Sequence, residues 1–413
     1  MKLFSKTFIG FAFFAVWSLS ACKHQSEEEP APGKALVILS PETSGKRYAL
    51  DGETGRIKWV LDRSSILGGW INDLSAPSGK LILANRSLYL HAPFNNPLTA
   101  LGDTVELFKS GNAQPNLLAL DAASGNTKAK FSTLSKPGYS LGCCSIWQQA
   151  DLIGIYQNLA VLAQYKSETE IPYINAVYAF DMSQNKVIWE LGADANSNSV
   201  RVDEGKVYIS NAPKNRTDVL DIKTGALIAT INSFAFAPAG QGMVLVPKEH
   251  KLSLVNERTN SIEWTFTASE PVDVSRVAQS KDLIFVTASM GRLYAVDRKT
   301  GIRKWEFKAD NENYHFTGLT VTDSGIYFSR RNGNIYALDK NTGELSWKAM
   351  TGDGIWQYPR NVQVKNNFLY VLVSEKTLLA FDKKSGEKRW EFISPDLSYP
   401  ILHVFDENDL DFQ

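Results

Sequence analysis

Tyr294-Ala295-Val296-Asp297-Arg298-Lys299-Thr300-Gly301-Ile302-Arg303-Lys304-Trp305 is the stretch on which the reading of this chain turns. An alternating strand, Arg292 to Val296, runs into Asp-x-x-Thr-Gly. There the Asp carboxylate can accept bonds from nearby backbone N–H groups, and Gly takes positive φ without steric cost. A strand carrying Trp305 follows. Upstream, across the Met290-Gly291 turn, lies another strand, Leu283-Ile284-Phe285-Val286-Thr287. The unit is a β-hairpin with one more strand in front.

The same unit recurs along the chain. Tyr48-Ala49-Leu50-Asp51 with Thr54-Gly55 and Trp59 is one copy; Tyr336-Ala337-Leu338-Asp339 with Thr342-Gly343 and Trp347 is another; Leu379-Ala380-Phe381-Asp382 with Ser385-Gly386 and Trp390 is a third. Weaker copies are anchored at Asp121 (Ser124-Gly125), Asp181 (Trp189), Asp221 (Thr224-Gly225) and Asn256 (Thr259-Asn260, Trp264). Six of the eight copies place Trp eight positions after the Asp or Asn; Ala129 and Ala229 stand there in the others. From Asp51 to Asp382 the copies span 331 residues in seven steps of 35 to 70, a mean of about 47 that, with strands between turn signals, fits four-stranded propeller blades. With the strands labelled A to D from the axis outward, the Trp falls on D, where its ring can bury against the next blade while its N–H finds a partner.

The repeat resembles the pyrroloquinoline-quinone-type (PQQ-like) propeller repeat of quinoprotein dehydrogenases and of the propeller lipoproteins of outer-membrane barrel assembly, and does so over nearly all of the chain from Ala35 onward. The fold expected is therefore all-β, an eight-bladed β-propeller spanning residues 35–413. The first copy has strands B, C and D but no residues for A. The last copy is followed by Asp396 to Phe405, so the C-terminal segment is expected to supply strand A of the first blade and leave no open edge.

Composition agrees with a packed domain: 413 residues, 44% hydrophobic and 11% aromatic. Lys plus Arg and Asp plus Glu both number 44, a balance that argues against a nucleic-acid binder. Beyond the first two dozen positions no apolar run of about 18 residues occurs, which excludes a polytopic membrane protein.

At the N-terminus, Lys2 and Lys6 precede an apolar run from Phe8 to Val16 that ends in Leu19-Ser20-Ala21-Cys22. This is the layout of a secretory signal, and its end resembles the lipobox of bacterial lipoproteins. Residues 1–21 then form a signal peptide, Cys22 is the acylated residue, and 22–34, with Glu27-Glu28-Glu29 and Pro30-Ala31-Pro32-Gly33, is a tether. Lys23 after the cysteine implies, by the same resemblance, sorting to the outer membrane. An ordinary cleaved signal with an incidental Cys22 is the plainer alternative.

In a propeller the D-to-A links and B-to-C turns share one face. Trp70, Trp147 and Trp356, the tryptophans outside signal and repeat, fall in D-to-A segments, with Tyr314, His315, Tyr358 and Arg360 in equivalent stretches. Together they make either a plug of the funnel or a binding surface. Two insertions, Asn85–Asn116 and Gln164–Asn175, are read as long B-to-C loops on that face. Cys143-Cys144 is a candidate vicinal disulfide, strained because adjacent Cα atoms sit about 3.8 Å apart. In quinoprotein alcohol dehydrogenases such a pair lies against the quinone, but here Ser145-Ile146-Trp147 follows, and the calcium ligands and catalytic Asp of that family have no clear counterpart. Asp194, Asp310 and Asp353 could perform acid–base work, with turn capping as the simpler role. The five His are dispersed and suggest no metal pair. The expectation is a monomeric, lipid-anchored, non-catalytic scaffold that binds a membrane-associated protein. An oxidoreductase using pyrroloquinoline quinone with calcium and a glycan-binding lipoprotein are the alternatives.

Overall fold

The structure is a computed structural model and describes residues 34–40, 46–62, 81–84, 87–91, 117–131, 147–167, 173–211, 213–235, 237–310, 315–352, 359–373, 376–397 and 400–406. Every regular element in it is a β-strand. The first sheet holds β1 (Ala35–Ser40), β2 (Lys46–Asp51) and β3 (Ile57–Asp62); the second holds β4 (Leu81–Ala84), β5 (Ser87–His91), β6 (Leu117–Leu120) and β7 (Thr127–Phe131). A seven-stranded sheet follows, made of β8 (Trp147–Tyr156), β9 (Leu159–Ser167), β10 (Tyr173–Asp181), β11 (Lys186–Asp203), β12 (Lys206–Asn211), β13 (Arg216–Asp221) and β14 (Leu227–Ile231).

Four-stranded meanders make up the rest. They are β15 (Ala237–Pro238), β16 (Met243–Lys248), β17 (Lys251–Asn256) and β18 (Ile262–Thr267); β19 (Val272–Gln279), β20 (Leu283–Ala288), β21 (Arg292–Asp297) and β22 (Arg303–Lys308); β23 (Phe316–Val321), β24 (Gly325–Arg330), β25 (Asn334–Asp339) and β26 (Leu345–Met350); and β27 (Pro359–Lys365), β28 (Phe368–Val373), β29 (Thr377–Asp382) and β30 (Lys388–Ile393). The last strand, β31 (Ile401–Asp406), returns to the first sheet and pairs antiparallel with β1, from Ala35 opposite Asp406 to Ser40 opposite Ile401.

The seven-stranded sheet contains two of these units. Its 18-residue strand β11 pairs with β10 along its first half and with β12 along its second, changing partner around Ser197 through a register shift. The strand is thus outermost in one unit and innermost in the next.

Burial follows strand position. The second strand of a sheet lies between neighbouring sheets on both faces, so β1, β20 and β24 are buried along their whole length, and β1 reads as an unbroken apolar run, Ala35-Leu36-Val37-Ile38-Leu39. The outermost strand has one wet face, so β18 alternates buried and exposed. Clusters of buried side chains join each sheet to the next. One brings Val37, Leu39 and Tyr48 of the first sheet against Tyr370, Leu372 and Leu378 of the last.

The repeat's hairpin turn is built as its sequence implies. Asp297 Oδ1 accepts bonds from the Thr300 backbone N–H (3.0 Å) and hydroxyl (2.9 Å), and the Gly301 N–H bonds back to the Asp297 carbonyl. Gly301 has φ 71°. The strongest constraint on that glycine comes from the neighbouring sheet, because a Cβ added to it would lie 2.7 Å from the Trp264 ring. The Trp264 indole N–H donates to the Arg298 carbonyl in the same turn, at 2.9 Å. The other five repeat tryptophans dock identically. Trp59 sits on Gly125, Trp189 on Gly225, Trp305 on Gly343, Trp347 on Gly386, and Trp390 on Gly55, each donating to the carbonyl just after the turn's Asp.

Two loop readings need correction. Ser87–His91 is strand β5, so the second unit's long link begins after it rather than at Asn85. Tyr89 and Leu90 face Ile82 and Leu81 in a ladder that the short spacing between two apolar runs conceals. Gln164–Asn175 is mostly strand as well. β9 and β10 continue their ladder as far as Lys166 opposite Tyr173, and β8 pairs Trp147 with Ser167, so the strands extend into the stretch read as a loop.

Because β31 covers a strand whose Leu36, Val37, Ile38 and Leu39 are wholly buried, deleting residues 397–413 exposes an apolar edge. The truncated chain is expected to elute as aggregate in size-exclusion chromatography and to lose its cooperative thermal transition. An unchanged melting curve would show that the pairing contributes nothing.

Candidate functional site

The face carrying the links from outermost to innermost strands, together with the turns between second and third strands, is the one singled out by the sequence. Trp147 opens β8 and Arg360 lies in β27, but of their side chains nothing is described. His315 is exposed immediately before β23, and its carbonyl accepts from the Arg331 N–H at 3.1 Å. Cys22, Trp70, Cys143, Cys144, Tyr314, Trp356 and Tyr358 lie outside the described residues, as does Asp353.

The described part of this face has an organisation that the repeat motif did not disclose. An acidic residue in the link leaving one sheet grips the next. Glu270 accepts from Tyr294 Oη at 3.0 Å and pairs with Arg292 at 2.8 Å. Asp310 pairs with Lys348 at 2.6 Å, and that ammonium lies over the Tyr336 ring. Asp396 accepts from Tyr48 Oη at 2.6 Å, with Lys46 3.7 Å away. Each acid stands five or six residues after a repeat Trp (Trp264, Trp305, Trp390), a spacing that could have revealed it.

These contacts decide the chemistry of the acids. The Lys348 hydrogen bond holds Asp310 below its ordinary range and raises Lys348 in turn. Asp310 is therefore a tied carboxylate, poorly suited to proton transfer. Beside it, Arg330 at the end of β24 is fully buried, donates to the Asp310 carbonyl, and lies 5.7 Å from the Phe316 ring centroid. It supports the Met290-Gly291 turn, where a Cβ on Gly291 would meet the guanidinium at 2.5 Å. Met290 is half exposed with φ 59°. A methionine in a left-handed conformation is strained, and its soft side chain suits an adaptable contact. The described surface is thus a set of pinned links presenting Met290, His315 and paired charges.

The opposite face holds a feature the sequence reading missed. A cleft of about 510 Å³ is lined by Gln279–Leu283, Val321–Ser324, Lys340, Asn341, Val364–Asn366, Lys383 and Asp406. These are the turns joining first to second strands and third to fourth strands across three successive sheets. A signal for it stood within the motif itself, since the residue after the repeat Asp is basic in Arg298, Lys340 and Lys383.

A quinone site would require carboxylates gathered for calcium. Among the described residues no three His, Cys, Asp or Glu side chains converge in that way, and Cys143 and Cys144, where the resemblance would put the quinone, lie outside the described residues.

Sheet order, repeat and docking tryptophans define a PQQ-like β-propeller. Residues 231–320 and 315–402 each match the family model of the outer membrane protein assembly factor BamB, which this chain resembles. Among solved structures, BamB from Moraxella catarrhalis aligns over 83% of this chain and 89% of its own, at 16% identity and a TM-score of 0.50. The dihydro-heme d1 dehydrogenase NirN aligns over 91% and 76%, at 11% identity and 0.63. The computationally designed Ika8 protein aligns over 83% and 94%, at 11% identity and 0.56. At these identities the likeness to solved structures concerns the fold alone. No curated protein matches the sequence.

Burial, and next the hydrogen bond to Asp396, pushes the Tyr48 hydroxyl from 10.0 up to about 12. A folded value above the unfolded one means a contribution fully present below pH 10 and lost as pH rises through about 12. Tyr48→Phe should therefore flatten the fall in stability over that window and cost about 1 kcal/mol at neutral pH. Urea unfolding of parent and variant at pH 7 and at alkaline pH measures both; an identical alkaline slope in the two proteins would reject the clamp.

Proposed function

We propose that the chain is a lipid-anchored, eight-bladed propeller that acts as a protein-binding scaffold at the outer membrane during insertion of β-barrel proteins. The observation carrying this is the match of residues 231–320 and 315–402 to the BamB family model. The blade count treats the seven-stranded sheet as two blades sharing β11, and the pairing of β31 with β1 supports a closed disk. Trp390 in the last sheet, donating to Gly52 in the first, supports that closure.

In this reading Cys22 carries the lipid and residues 23–34 form the tether. The face to which the strand order assigns the segments of Trp70, Trp147, Tyr314, His315, Trp356, Tyr358 and Arg360, and the link carrying Cys143 and Cys144, meets a membrane-associated protein. Aromatic and Arg side chains are the usual anchors of protein interfaces, and the pairing of Asp310 with Lys348 fixes the start of the link that leads to His315.

Removing the gene from its native host tests the role. The abundance of outer-membrane β-barrel proteins should fall several-fold and recover with the parent chain. With Cys22→Ser, the protein should move from the membrane to the soluble fraction. Unchanged β-barrel abundance in the deletion strain would overturn the scaffold reading, and unchanged fractionation of Cys22→Ser would overturn the anchor.

A further inference from the structure

The docking tryptophans divide the molecule unevenly. In chain order, β1–β3 with β31 are unit 1, β4–β7 are unit 2, and β8–β10 with the first half of β11 are unit 3. The second half of β11 with β12–β14 is unit 4, and the four remaining meanders are units 5 to 8. Trp264, Trp305, Trp347, Trp390 and Trp59 join units 5, 6, 7, 8, 1 and 2 into one continuous arc. Trp189 joins unit 3 to unit 4. Two interfaces are left, between units 2 and 3 and between units 4 and 5. They are the two at which Ala129 and Ala229 stand where the indole would be.

The inner strands follow the same division. Within the arc, the Thr320 hydroxyl donates to the Val362 carbonyl at 2.5 Å, the Gln363 amide to the Leu402 carbonyl at 2.7 Å, and the Gln279 amide to the Pro238 carbonyl at 3.0 Å. Units 3 and 4 share the unbroken strand β11. There β8 and β11 pack so closely that a Cβ on Gly154 would lie 2.8 Å from Val202. By contrast β15, the inner strand beside the interface of units 4 and 5, is two residues long.

What crosses the two remaining interfaces also differs in kind. Between units 2 and 3 the contact is apolar and has Ala129 at the indole position, with the Phe131 and Phe180 rings meeting edge-on at 6.2 Å. Between units 4 and 5 a small apolar cluster around Ala229 and Val255 is flanked by polar contacts. Glu257, 1% exposed, accepts from the Lys206 ammonium and from the Tyr208 hydroxyl (3.0 Å), and Asn260 bonds the backbone at Thr230 and Asn232. Polar groups such as these regain bonds to water when an interface parts, so their net hold is small. The apolar surface of an indole has no such return.

We infer that units 3 and 4 form one rigid block that rocks against the six-unit arc, with the two indole-free interfaces as its hinges. Parting any other interface would expose a buried indole and break its bond to the neighbouring turn. Opening is therefore confined to the two places where least is lost. The motion is a rigid-body displacement at packed interfaces, and β11 carries it from one hinge to the other. A ligand that touches both block and arc selects among their relative positions.

The test measures distances between nitroxides coupled to p-acetylphenylalanine, which leaves the native cysteines in place. Each unit offers a surface position two residues after its repeat Asp or Asn. Pulsed electron resonance on Lys223–Lys299 and Ala123–Lys223, which span the hinges, should give distance distributions at least twice as broad as Arg258–Asn341 and Lys299–Lys384, which lie within the arc. Ser183–Lys223, inside the block, should be as narrow as the arc pairs. Ala229→Trp with Asn260→Gly installs the missing lock and should narrow Lys223–Lys299 to the arc width. Equal widths for all pairs in the parent protein would overturn the inference, and that comparison does not depend on the variant folding. So would a broad distribution within the arc, or a folded double variant whose Lys223–Lys299 width is unchanged.

Discussion

An indole on the outermost strand of one sheet, resting on a glycine in the hairpin turn of the next, sets how successive sheets meet. The contact joins two demands that neither sheet could meet alone. The ring buries a large apolar area, while its N–H finds the carbonyl that the turn leaves free. The glycine must accept positive φ for the turn and also have no Cβ, since one added at Gly343 would lie 2.6 Å from Trp305. The exceptions support the pairing. Ala129 and Ala229 replace Trp, and the turns in the sheets that follow them carry Asn185 and Asn260 where glycine stands elsewhere. With no indole to accommodate, Asn260 fills the space itself. Its Nδ2 donates to the Thr230 carbonyl at 2.9 Å and its Oδ1 accepts from the Asn232 N–H at 2.8 Å. Asparagine tolerates the left-handed backbone that such a turn requires.

Both faces are organised around this rigid connection. On one face, Glu270, Asp310 and Asp396 fasten the starts of three links between sheets to tyrosines and cations of the next sheet. On the other face, the turns that receive the indoles also project Lys340 and Lys383 into a cleft. A single docking interaction therefore positions groups on both surfaces.

Much of the architecture was legible because the repeat carries its own turn chemistry: Asp-x-x-Thr-Gly states where a hairpin bends, and Trp states which strand faces a neighbour. The third unit was harder. Asp181 has Asn185 in place of glycine, and its outer strand runs straight into the next unit as β11, so no turn marks the boundary. Second-strand runs such as Leu283–Thr287 were plain, whereas β5, at Ser87–His91, was concealed by the two-residue spacing that separates it from β4. Of the candidate site, the face could be read from strand order, but its clamps could not, since Glu270 and Tyr294 are 24 residues apart and meet only when two sheets pack. The cleft was missed for the same reason. Its lysines are unremarkable one turn at a time and become a site only when three sheets stand side by side.

The most direct measurement is a double-mutant cycle between Trp305 and Gly343, read from urea unfolding. Trp305→Ala should destabilise by about 3–5 kcal/mol, and Gly343→Asn should destabilise strongly while the indole is present. Together they recreate the Ala229–Asn260 arrangement, so the double variant should be more stable than the sum of the single effects implies, by about 1–3 kcal/mol. Losses that add to within about 0.5 kcal/mol would mean that indole and glycine act independently, contradicting the account.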